Sequence, residues 1–218
     1  MQWLRRKANE GFHTFMHGLF YPGVLGSLIY AFPDNILSHR AEFSVAGTVL
    51  AVSLFVSFAF DYVYSSTKDA KQTYSYGTFI ADCFIVVLMF IAGQKILGTP
   101  LFQGIDEFWF LGAARLFAWA WEFLRVQESP DPALERDPAK VKQEEIERNA
   151  DLTAQGIDFL FVPAYPIVGL IAECTPWYPW ALAALLVFDA LMYIGHPRLA
   201  NWIYRQRMTA AGTSGQPR

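Results

Sequence analysis

The chain has 218 residues, 54% hydrophobic and 17% charged, with a formal net charge of -3. That apolar excess lies in long, evenly spaced runs, which argues against one or two soluble cores and for a membrane. The small net charge, without a basic patch among exposed aromatics, argues against a nucleic-acid partner.

The basic triplet Arg5-Arg6-Lys7 and the apolar run after it superficially match a secretory leader. Ala31-Phe32-Pro33 is a poor cleavage sequence, however, and the uncharged run from Thr14 to Pro33 is long enough to span, so it is expected as the first membrane helix. Phe43 to Phe60 is expected as the second. Tyr74 to Ile96, with Asp82 inside it, is the third. Phe108 to Val126 is the fourth and carries Arg115 and Glu122. Leu152 to Ala172 is the fifth and carries Asp158, Pro163 and Pro166. Trp177 to Gly195, with Asp189, is the sixth.

The expected fold is therefore all-α, a polytopic membrane bundle of about six transmembrane helices with both termini inside. Residues 1–126 hold the first four spans, and 127–150 form a charged cytoplasmic linker with a short polar helix near Lys140 to Asn149. Residues 151–197 hold the last two spans, and 198–218 an interfacial or cytoplasmic tail. Loop charge favours this count, because short cytoplasmic loops collect Lys and Arg. Only Arg40 and Lys95 fall outside and Arg115 within a span; every other basic residue falls inside. Trp109, Trp177 and Trp180 then sit near the outer boundary, and Trp3 and Trp202 near the inner one. Cys83 and Cys174 fall at different depths, so a disulfide between them is not expected.

Polar side chains recur at helical spacing within the spans: His13 and His17; Ser53, Ser57 and Asp61; Tyr74, Thr78 and Asp82; Arg115, Trp119 and Glu122; Asp151, Gln155 and Asp158; Asp189, Tyr193 and His196. Three- and four-residue steps align each set on one helix face, and nearly all fall in the cytoplasmic half. Asp61, Asp82, Glu122, Asp158 and Asp189 outnumber Arg115, the one base at comparable depth. Such acids must take up protons, hold a cation or be hydrated. The structural account is that they cap helix ends, pair with Arg115, Arg125 and Arg198, and tie the bundle together. It suffices for Asp61 and Glu122, and less well for the deeper Asp82, Asp158 and Asp189.

Three readings follow, in this order. The first is a small transporter or channel of the bacterial inner membrane, with a cytoplasm-facing cation or proton site built from Asp82, Asp158, Asp189 and Arg115, flanked by Asp61 and Glu122. The second is a membrane scaffold or accessory subunit whose stripes are structural and whose linker meets a protein partner or a second copy. The third is an intramembrane metal-dependent enzyme using His13 and His17, although no HExxH or further histidine cluster accompanies that pair. The bilayer is the one partner common to all three. A cation or small molecule is the substrate class in the first, and the residues name no cofactor. The prolines of the fifth span break its backbone ladder, as at many transporter sites and in many inert kinks.

Overall fold

The computed structural model describes residues 8, 10–38, 45–66, 74–98, 102–126, 138–160 and 162–213. Every regular element among them is helical. In chain order these are α1 (Glu10–Phe15), a π-helical turn (Met16–Phe20), α2 (Tyr21–Ser38), α3 (Val45–Ser65), α4 (Tyr76–Ile96), α5 (Glu107–Val126), α6 (Pro138–Phe159), α7 (Ala164–Ala172) and α8 (Tyr178–Thr213).

The first apolar run is one helical path from Gly11 to Pro33 with a widened turn inside it. Pro22 explains the widening. It has no N–H to offer the Gly18 carbonyl, and its ring crowds that carbonyl, so the ladder before it loosens into π geometry. Tyr21 N–H then reaches back to Met16 O, and Tyr62 of α3 donates to the His17 carbonyl at 3.0 Å. The turn holds His17 in the interior, 5% exposed.

A capping box starts α4. The Ser75 hydroxyl accepts from Thr78 N–H at 3.3 Å, and Thr78 Oγ1 accepts from Ser75 N–H at 2.7 Å. The fixed start sets the phase of the helix, so Thr78 and Asp82 both face inward, 1% and 0% exposed.

Gly11–Pro33, Val45–Ser65 and Tyr76–Ile96 are each long and apolar enough to cross a membrane, and Tyr178–Met192 with Ile194–Ala210 makes a fourth if that bent pair is one span. Helix α5 is long enough, but Glu107, Arg115, Glu122 and Arg125 lower its apolarity. The fifth expected span, Leu152 to Ala172, is not one helix. The polar helix expected near Lys140 runs on to Phe159, the chain turns, and α7 begins at Ala164. Pro163 stands at the start of α7, where a missing N–H costs nothing. The sixth span also continues further than expected, through α8 to Thr213, with a bend of 41° after Met192. Pro197 has no N–H to offer the carbonyl of residue 193, so the backbone ladder lacks a bond across the bend.

Helix α4 packs along α5, and α3 along α8; α7 closes the side between α5 and α8. Leu28, Leu54, Phe58, Val86, Phe108, Leu182 and Leu186 form the main core. A smaller cluster of Ala150, Ala154, Ala200 and Ile203 holds α6 against the second half of α8. Exposure is inverted relative to a soluble protein. Leu19, Val63, Leu170, Ile171 and Leu191 are exposed, while Asp61, Asp82 and Asp189 are buried.

Candidate functional site

The four-residue rhythm from α1 into α2 extends past the two histidines to a third residue, Tyr21. The His13 and His17 rings meet tilted at a centroid distance of 4.3 Å, and His17 and Tyr21 stack at 5.3 Å. The Tyr21 hydroxyl donates to Asp61 Oδ2 at 2.7 Å and lies 3.5 Å from Asp82 Oδ1, so one phenol from α2 joins acids on α3 and α4. Tyr74 donates to Asp82 Oδ2 at 2.6 Å, and His17 Nε2 stands 3.6 Å from the same oxygen. Tyr74 precedes the α4 span; burial first, and then the Asp82 charge, push its phenol up, so it stays a donor at neutral pH.

A second cluster forms where α5, α7 and α8 meet. Arg115 Nε lies 3.4 Å from Asp189 Oδ1, and the Tyr165 hydroxyl donates to Asp189 Oδ2 at 2.5 Å. Arg115 and Asp189 side chains are 10% and 11% exposed, so the pair sits in a low-dielectric interior where attraction is strong and removal of one partner costly. A third contact, His196 Nε2 to Glu122 Oε2 at 3.9 Å, joins α8 below its bend to α5.

Two small cavities connect these groups. One, of about 20 Å³, has Ser57, Asp61, Arg115, Tyr165 and Asp189 in its wall. The other, of about 10 Å³, reaches Asp61, Asp82 and Glu122. Asp61, Ile85 and Ala118 line both. No protein-family model, curated protein or solved structure matches this chain.

Of the residues singled out from sequence, Asp61, Asp82, Glu122, Arg115 and Asp189 converge around these two cavities. His13 and His17 join them at the Asp82 end. The side chain of Asp158 lies outside the described residues. No three His, Cys, Asp or Glu side chains among the described residues come together as a metal ion would need. Sequence alone does not mark the tyrosines as donors: Tyr21 serves Asp61 and Asp82, Tyr74 serves Asp82, and Tyr165 serves Asp189. Tyr21 was legible from its spacing with His13 and His17. Tyr165 gave no such signal, because α7 carries no other polar side chain at helical spacing from it.

Gln155, 1% exposed, buries both polar atoms of its amide without a hydrogen-bond partner among the described residues. Its backbone carbonyl accepts from Trp119 Nε1 at 3.2 Å, which ties α6 to α5.

Two larger cavities, of about 540 and 390 Å³, lie apart from the acids. Their walls are apolar, with Trp109, Leu116 and Pro166 in one and Val49, Trp180 and Phe188 in the other.

Proposed function

We propose that the chain is an integral membrane protein that crosses six times, the fifth crossing broken at the turn between α6 and α7, with both termini on the inner side of a bacterial plasma membrane, and that its acidic core takes up and passes on protons. One observation carries the reading: Tyr21 bridges Asp61 and Asp82 across three helices, and Asp61 also lines the cavity that holds Arg115 and Asp189. Carboxylates and phenols in hydrogen-bond reach can exchange protons, and acids inside a membrane characteristically mark such relays. Cavity size disfavours a small organic molecule, because the acid-lined spaces of about 20 and 10 Å³ are on the scale of single waters, and the Arg115 guanidinium in the wall of the larger one disfavours a metal cation. The lipid-side apolarity and the loop charge support the membrane topology.

The test is proton flux into liposomes at matched incorporation, comparing the natural chain with Asp82→Asn and Asp189→Asn. Each substitution keeps the shape but removes the titrating site, and a flux loss of at least about tenfold is expected, equal to one added increment of about 1.4 kcal/mol in the barrier.

A second reading has its own observation. Asp61 and Asp189 each accept from a tyrosine on another helix, Asp82 accepts from Tyr74 just ahead of its own, and Glu122 faces His196, which is also how structural polar ties join membrane helices. On that reading the protein is a scaffold or accessory subunit. Flux that is absent, or unchanged in both variants, would move it to first place.

A further inference from the structure

We infer that the cavity among α3, α4, α5, α7 and α8 is a binding site for one water molecule, which joins the Asp61 and Asp82 carboxylates to the Arg115–Asp189 pair. Only the role of that water, and not its binding, rests on the proton reading above.

Size comes first. The space is about 20 Å³, and a water needs roughly 10–15 Å³ together with two to four polar partners. Ser57, Asp61, Arg115 and Asp189 supply those partners from α3, α5 and α8.

Wall chemistry narrows the ligand. A metal cation would share its space with the Arg115 guanidinium, and an anion would face both Asp61 and Asp189, so each meets a like charge at short range in a poor dielectric. A small neutral molecule that both donates and accepts fits the mixture of guanidinium, hydroxyl and carboxylates.

The same wall shows why a water would matter. Arg115 shares the cavity wall with Asp61 and Asp189, but a guanidinium has no lone pair and does not lose its proton in proteins, so its contacts cannot pass one on. A water beside Asp61 and Asp189 can. Asp61 then carries the path onward through Tyr21 to Asp82, with bonds of 2.7 and 3.5 Å.

Ala118 lines both small cavities and carries no polar group, so Ala118→Leu fills the space while every acid, phenol and arginine stays. Ser57→Val fills the larger cavity from α3 and serves if the leucine variant does not fold. A crystal structure from a lipidic mesophase that orders water molecules decides the matter for the natural chain and either variant, with proton flux measured on the same proteins. Expected are one water within hydrogen-bond distance of Asp61 and Asp189, its loss in the variant, and flux about tenfold lower. No density in the natural chain, or density that persists in the filled variant, would overturn the site. Density that behaves as expected in a protein without proton flux would support the site and reject only the relay of the preceding subsection.

Discussion

Asp82 is fully buried, yet it has Tyr74, Tyr21 and His17 around it from two segments of chain. Burial of a carboxylate is tolerable only with such partners, and each partner removed exposes the desolvation cost. Tyr21→Phe deletes the hydroxyl shared by Asp61 and Asp82 while keeping the ring packed on Phe58. It should cost about 1–3 kcal/mol and lower proton flux, read as the thermal midpoint in detergent and the liposome rate. Arg115→Met is more severe, because Asp189 keeps its burial and loses its counter-charge; about 3–5 kcal/mol is expected. The double variant Arg115→Met with Asp189→Leu should regain much of that loss, since an apolar pair replaces an ion pair well. A double variant no more stable than Arg115→Met would show that a stranded Asp189 charge is not what destabilises the single variant.

Helix positions depend on close approaches that leave no room for a side chain. A Cβ at Gly169 of α7 would stand 2.2 Å from Cγ of Phe108, a ring fully buried on α5. That ring has no free end to swing aside, so Gly169→Ala must push α7 from α5 and carry Tyr165 away from Asp189. We expect a loss of about 1–3 kcal/mol, measured by thermal denaturation in detergent, with a weaker effect at exposed Gly26, where nothing lies within 4 Å. Sequence periodicity indicated most of these elements, because apolar runs and proline positions act within a single segment. It failed between Leu152 and Ala172, where two helices replace one. The polar stretch before Ala150 is stabilised as helix by Ala150 and Ala154 packing on Ala200 and Ile203, a contact between distant segments.

For the whole molecule, the inverted exposure pattern predicts which surfaces meet lipid and which meet water. Cys174 is exposed in the turn between α7 and α8, and Cys83 is half-buried within α4. With the proposed topology, in a Cys83→Ser background an impermeant maleimide should label Cys174 from the outer face of sealed right-side-out vesicles. A cysteine introduced in place of Ala210, at the far end of α8, should react only after the membrane is opened. Labelling of both from one side would rule out a single crossing by α8.

Sequence by itself determined that the chain is helical, that its apolar surface suits a bilayer, and that each span carries its polar residues on one face, because hydrophobic periodicity and proline chemistry are local properties. Only tertiary structure decided which stripes meet: Tyr21 with Asp61 and Asp82, Tyr165 and Arg115 with Asp189, and His196 with Glu122. Spacing along a helix fixes the direction of a side chain about its own axis. The rotation and neighbour order of packed helices follow from side-chain fit across them, at contacts such as Gly169 against Phe108, which no single segment encodes.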